Sequence, residues 1–206
     1  HTGPVPTSIL LPQIVDAIGG KVPVIAAGGF YDGRGLVAAL AYGADAIAMG
    51  TRFLLTSDSS VPDEVKQLYL GRAVTDTVVT TRVDGVPHRV LRTELVEQLE
   101  STSNRLTSLP KALANAQRFK GMTGVSFRDM WREGNAMRRA MDLSWSQMIM
   151  AANTPMLLKA GLVDGNTESG VLASGQVVGV LDDLPSCDEL VARIMSEAET
   201  TLARLR

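Results

Sequence analysis

The sequence predicts an α/β fold with a parallel sheet, on three observations. Two short apolar runs, Val22-Pro-Val-Ile-Ala-Ala27 and Ala46-Ile-Ala-Met49, show no in–out alternation, which marks strands covered on both faces. Between them Gly33 to Tyr42 reads as a helix with Leu36, Val37 and Leu40 inward and Gly43 as its C′ residue. Strand, helix and strand thus follow within about 30 residues, as a βαβ unit. Each apolar run also ends in glycine, at Gly28-Gly29 and at Gly50.

The flanking elements follow the same local rules. Ser8 can cap a helix to about Ile18, with Leu10, Leu11, Ile14, Val15 and Ile18 on its buried side and Gly19-Gly20 at its end. Ser60, Pro62, Asp63 and Glu64 form a helix start that runs to about Leu70. Thr77 to Val83 is rich in β-branched residues, and Asp84-Gly85 offers a hairpin turn before Arg89-Val-Leu. From Glu94 to Met156 the chain reads as helical and Met-rich, with Met137, Met141, Met148, Met150, Trp131 and Trp145. Ser186-Cys-Asp-Glu189 is a capping box. It opens a terminal helix with Leu190, Val191, Ile194, Met195, Ala198 and Leu202 on one face.

Composition narrows the function classes. With 45% hydrophobic and 20% charged residues the 206-residue chain has enough apolar mass to form a core, which excludes disorder. A net charge of −2 offers no electrostatic footprint for nucleic acid. The one cysteine, Cys187, excludes an intrachain disulfide framework and a multi-Cys zinc site, so no metal is expected. A reducing compartment, most simply the cytoplasm, follows from the same count. No apolar stretch approaches the roughly 20 residues of a membrane span, and the start lacks the form of a signal peptide.

The two glycine loops carry the sharpest chemical signal. Gly28 and Gly50 lie 22 residues apart, about one α/β repeat, so in a parallel sheet or barrel their loops lie side by side at the C-terminal edge. Glycine removes the Cβ that blocks a close backbone approach and leaves N–H groups to face an anion. Thr51 adds a hydroxyl donor, and a following helix would add the positive end of its dipole. This describes a phosphate clamp of the kind found after strands 7 and 8 of TIM barrels. The plainer alternative is two tight turns. Neither a Walker loop nor a Gly-x-Gly-x-x-Gly fingerprint is present.

Val22-Pro-Val-Ile-Ala-Ala-Gly-Gly-Phe30, Asp32-Gly-Arg-Gly35 and Gly43-Ala-Asp-Ala-Ile-Ala-Met-Gly-Thr-Arg-Phe53 resemble the FMN-binding half of the nitronate monooxygenase (2-nitropropane dioxygenase-like) family, which includes the flavin-dependent enoyl-ACP reductases. The resemblance implies a TIM barrel whose two loops hold the FMN phosphate, with Ala26, Gly28, Gly29, Gly50, Thr51 and Gln176 as cofactor-binding residues. His1-Thr2-Gly3 is similar to the end of the family's Gly-Gly-His-x-Gly motif, which implies that His1 is the catalytic base. Thr80 to Arg92, Ala151 to Lys159 and Leu172 to Gly179 most resemble a subgroup that acts on CoA thioesters in steroid-ring degradation. The implied reaction dehydrogenates or reduces the bond beside a ring ketone. Nitronate oxidation with dioxygen and enoyl-thioester reduction are the alternatives. NAD(H) is an electron partner that this chemistry admits, and a homo-oligomer is open.

Other residues carry two readings each. His88 follows Pro87 and suits a solvent-exposed turn better than a catalytic place. Arg52, Arg82, Arg89 and Arg92 could hold nucleotide phosphates, although arginines on a solvated face are the default. Ser174-Gly175-Gln176 resembles a family motif near the flavin and also reads as a capped helix start. The Met and Trp series is either plain core or an adaptable pocket for an apolar bicyclic substrate. Cys187, inside a helix cap with no partner base, reads as structural.

Length then takes on a different meaning. A (β/α)₈ barrel takes about 250 residues, and this chain supplies two credible barrel strands. The expected fold is therefore the C-terminal part of an FMN-binding TIM (β/α)₈ barrel with a helical substrate lid. Residues 1–95 would form the last two βα units with the phosphate loops and a hairpin, residues 96–165 the lid, and residues 166–206 a segment and helix returning to the barrel. The remaining strands, an N-terminal part of the same barrel, are the expected partner besides a small-molecule CoA thioester.

Overall fold

The computed structural model describes residues 2–83, 85–101 and 153–206. They form two compact units, one of Gly3–Thr77 with Ser174–Arg206, the other of Thr2 with the described residues of Val78–Ala173. The fold class is α/β, with helices and short strands in both units.

The first unit begins with α1 (Thr7–Ile18), which starts after Pro6 without a side-chain cap. Ser8 therefore lies inside the first turn and is not the cap. Gly19, at φ +59°, ends the helix, and its N–H donates to the Val15 carbonyl. Of the expected buried face only Leu11 is fully covered. Leu10 and Ile14 are exposed, because the contact with the sheet runs along the Leu11–Val15 line.

Strands β1 (Ile25–Ala27) and β2 (Ala46–Ala48) pair in parallel, Ile25 with Ala46, Ala26 with Ile47 and Ala27 with Ala48. The strand expected from Val22 starts only at Ile25, since Pro23 has no N–H to give a ladder. Nor are both faces covered: Ile25 is 62% exposed while Ala26 is buried. A two-stranded sheet carries a layer on one side here, and that side is the core of Leu11, Ala26, Ala39 and Ala44 with Val15, Val24, Phe30 and Ile47 around it.

Between the strands, α2 (Gly33–Ala41) buries Val37 and Ala39 and leaves Leu40 exposed, so its inward face is turned from the one expected. The turn follows from α7 (Cys187–Leu205), which lies against α2. A Cβ on Gly33 would stand 2.4 Å from the Ala198 nitrogen and from the Ile194 oxygen, a closeness only glycine permits. The capping box at Ser186 is present, with the Ser186 N–H donating to Glu189 Oε2 at 2.8 Å and the Glu189 N–H to Ser186 Oγ at 3.2 Å. The Ser186 N–H and the Ser186 hydroxyl, both donating to Oε2, hold the Glu189 carboxyl below the ordinary glutamate pKa. Leu190, Ile194 and Ala198 are buried, whereas Val191, Met195 and Leu202 are exposed. The six apolar positions thus form two stripes, of which α2 covers one. Downstream of β2 come α3 (Gly50–Leu54) and α4 (Asp63–Tyr69), the latter beginning at Pro62 as expected.

β3 (Thr77–Thr80), whose residues from Val78 on belong to the second unit, pairs with β4 (His88–Leu91). β3 stops short of Val83 because the Arg82 N–H donates to Thr80 Oγ1 at 3.0 Å, which takes it out of the ladder. α5 (Glu94–Ser101) and α6 (Asn153–Leu162) follow. Val83, Val90, Val96 and Val171 form the core, and the Leu91 N–H donates to the Leu172 carbonyl at 2.8 Å. Gly85 adopts φ +87°, as a turn glycine should, while Asp84 lies outside the described residues. Most of the expected lid, with both tryptophans and Met137, Met141, Met148 and Met150, also lies outside them. Among the described residues no helix is long and apolar enough to cross a membrane.

Gly33→Ala should cost about 1–3 kcal/mol, since its new methyl meets main-chain atoms that cannot swing away. Gly50→Ala, where a Cβ meets nothing within 4 Å, should stay within about 0.5 kcal/mol of wild type. Urea unfolding followed by circular dichroism measures both.

Candidate functional site

The parallel register ends β1 and β2 level with each other, at Ala27 and Ala48. The loops Gly28-Gly29 and Met49-Gly50-Thr51 therefore leave adjacent strands side by side. Gly28 (φ +98°) and Gly29 (φ +88°) take consecutive left-handed conformations that side chains rarely tolerate. Thr7 Oγ1 donates to the Gly28 carbonyl at 3.2 Å and fixes the first loop to α1. A Cβ on Gly29 or Gly50 would meet no atom within 4 Å, so both loops face open space.

A third segment joins them. The Gly175 N–H donates to Thr51 Oγ1 at 2.8 Å. The Thr51 hydroxyl accepts there and keeps its own proton to donate elsewhere. Ser174 is buried, and Gln176 is exposed at the start of the 3₁₀ turn Gln176–Val180. No side chain caps that turn, so the capped-helix reading of Ser174-Gly175-Gln176 fails; the segment is held by Thr51 instead. The structure thus assembles Gly28, Gly29, Gly50, Thr51 and the 174–176 segment. Ala26 stands apart, with its side chain in the core. His1 lies outside the described residues.

The helix-dipole contribution is smaller than the sequence suggests. α3, which begins at Gly50 and contains Thr51, has only five residues. At α2 the first N–H groups are already taken, Gly33 by Glu197 Oε2 at 2.9 Å and Gly35 by Asp32 Oδ1 at 2.8 Å. Two carboxylates close that helix end to an anion.

Arg52 does not lie on a solvated face, and its guanidinium is turned into the protein. It is buried, and its guanidinium donates to Asp183 Oδ1 at 2.8 Å, to the Asp183 carbonyl at 3.0 Å and to the Leu55 carbonyl at 2.6 Å. Arg193 donates to the other Asp183 oxygen at 2.6 Å. Burial opposes ionisation of Asp183, but the bonds from Arg193 and Arg52 outweigh it and hold the carboxyl below the usual carboxylate range. In the second unit, Arg82 and Arg89 are half-buried and Arg92 is exposed. His88 is half-buried in β4 and not in an exposed turn, because the strand starts one residue earlier than expected. The Cys187 thiol packs 3.7 Å from Thr56 Oγ1, and its N–H donates to Asp58 Oδ2.

Sequence reasoning missed Lys66, which is 2% exposed inside α4. Its Nζ donates to the Ser57 carbonyl at 3.4 Å and lies 3.3 Å from Asp63 Oδ1. Nothing in a Lys-Gln-Leu-Tyr stretch marks such a lysine as buried. Beside it, burial pushes the Tyr69 phenol far up. Among the described residues no group of three His, Cys, Asp or Glu could hold a metal.

A sequence profile described as nitronate monooxygenase matches residues 1–197. The chain belongs to the nitronate monooxygenase family. Within the family it is 65% identical over 203 residues to the (3aS,4S,5R,7aS)-5-hydroxy-7a-methyl-1-oxo-octahydro-1H-indene-4-carboxyl-CoA dehydrogenase of Mycobacterium tuberculosis, covering 98% of this chain and 57% of that protein. A protein of the same description from Rhodococcus jostii is 60% identical over 198 residues, covering 96% of this chain and 55% of its own length. FabK from Thermotoga maritima superposes with a TM-score of 0.68 at 28% identity, over all of this chain and 53% of FabK. The chain spans little more than half the length of the relatives it matches. Its mixed helix-and-strand architecture is that of part of an α/β barrel.

A carboxylate held below its ordinary pKa stabilises the fold above that value and loses the effect as pH falls through the lowered one. Asp183→Asn should therefore destabilise the protein near neutral pH, with the gap to wild type closing as pH drops below about 4. Urea midpoints measured across that range decide it. A gap that stays constant would contradict the ionic role.

Proposed function

We propose that this chain forms the cofactor-phosphate clamp of an FMN-dependent oxidoreductase that dehydrogenates, or in reverse reduces, the bond beside a ketone in a CoA-linked steroid-ring fragment. The observation that carries the cofactor reading is the pair of open glycine turns that the strand register sets side by side, with Gly175 bonded to the Thr51 hydroxyl. The space in front of Gly29 and Gly50, which a side chain would fill, suits a phosphate approached by main-chain N–H groups. Substrate class rests on the two relatives at 65% and 60% identity, whose names specify a ring ketone and a CoA thioester.

FMN, when bound, supplies hydride or single-electron exchange with carbon. The protein's own residues position and move protons. Gly28, Gly29, Gly50 and Thr51 would hold the phosphate, with main-chain support from Ala26, and Gln176 would face the flavin end of the site. His1 would take or return the proton at the carbon next to the ketone, a role that suits an imidazole near neutral pH. The rest of the barrel would come from the part of the relatives that this chain does not cover. NAD(H) is the proposed electron partner. The single cysteine favours a reducing compartment such as the cytoplasm.

A second reading, nitronate oxidation with dioxygen, is favoured by the family's own description. Anaerobic mixing of the FMN-loaded protein with the CoA ester should bleach the flavin absorption. Bleaching by an alkyl nitronate alone, with rapid oxygen uptake, would favour the second reading instead. Thr51→Val should weaken FMN binding about tenfold or more, because it removes both a charge-assisted donor and the acceptor for Gly175. Fluorescence titration with FMN measures it.

A further inference from the structure

Arg52 has a place in the fold that the clamp itself does not explain. It follows Thr51 in α3, a helix of five residues. A helix that short has little stability of its own, so tertiary contacts must set its direction. Two such contacts tie α3 to one stretch of chain. At one end Gly175 donates to Thr51 Oγ1, and eight residues later Asp183 receives Arg52 at both its side chain and its carbonyl. The 3₁₀ turn Gln176–Val180 lies between these anchors. Asp183 is braced in turn by Arg193 of α7.

The guanidinium is an expensive way to fill this space. Its side chain is 4% exposed, and Arg52 Nε is buried with no partner among the described residues. An apolar residue of similar volume would leave no unmet donor of its own, although it would take a partner from Asp183 and from the Leu55 carbonyl. What an apolar residue cannot do is fix α3 against the 175–183 segment in one orientation, because only the planar fork of donors reaches Asp183 and the Leu55 carbonyl together.

We propose that Arg52 is a positioning residue, which through Asp183 holds Thr51 and Gly175 in the register needed to grip the cofactor's phosphate. The assignment rests on the flavin reading above. It acts on phosphate recognition and not on the fold as a whole. Riboflavin, which is FMN without the phosphate, therefore separates the two effects.

The test compares FMN and riboflavin affinities, by fluorescence titration of the purified protein, for wild type, Arg52→Met, Arg52→Lys and Asp183→Ala, alongside their thermal melts. The expected result is a preference for FMN over riboflavin that falls about tenfold in Arg52→Met and Asp183→Ala, with riboflavin affinity unchanged. Arg52→Lys should fall in between, since a point charge replaces the fork. Should Arg52→Met fail to fold, Asp183→Ala decides, because that side chain is 36% exposed and the Arg52 guanidinium keeps the Leu55 and Asp183 carbonyls as acceptors. An unchanged preference in the folded variants overturns the assignment while leaving the flavin reading intact. A wild type that binds no FMN overturns both.

Discussion

Three residue pairs, Ile25 with Ala46, Ala26 with Ile47 and Ala27 with Ala48, impose the constraint on which the rest of the first unit depends. Parallel strands point their C-terminal ends the same way, and this register makes the two ends level. Loops that leave such ends can share one ligand only if neither is blocked by its own side chains. Gly28, Gly29 and Gly50 meet that condition, two of them in conformations that other residues rarely adopt. Had the register slipped by one residue, Thr51 would move away from Gly175 and the third segment would lose its anchor.

The helical layer supports the same point from behind. α2 can lie close to α7 because Gly33 presents no side chain to the Ile194–Ala198 turn. Glu197 of that turn then accepts the Gly33 N–H, while Asp32 accepts that of Gly35. The start of α2 is thereby neutralised as an anion site. On the proposed reading an anion would be held at the loops, where main-chain N–H groups could approach it without the carboxylates of Asp32 and Glu197.

How much of this was legible in the sequence depends on the range of the interaction. The βαβ unit, the glycine loops and the Ser186–Glu189 box were readable because backbone conformation and capping are settled within a few residues. Periodicity told which positions of α1 and α7 are apolar, but not that Leu11 would be covered while Leu10, Ile14, Val191 and Met195 stay exposed. That choice is made by whichever element packs against the helix. Arg52 looked like any surface arginine because Asp183 lies 131 residues away in the chain. Lys66 was invisible for the same kind of reason, its cover being supplied by tertiary packing and not by its neighbours in sequence.

Arg52 and Thr51 also show why adjacent residues need not share a role. Thr51 offers a hydroxyl to whatever fills the open loops, and it can do so in a fixed direction only because Gly175 occupies its acceptor side. Arg52, one position on, points into the protein and ties the same short helix to the segment that carries Gly175. A five-residue helix presents one side to a ligand and another to its support. With a buried arginine paired to Asp183 on the second side, an exposed loop gains the rigidity of the core without being buried in it. That is the property a small anion site needs, since a donor displaced by even a fraction of an ångström loses much of its hydrogen bond.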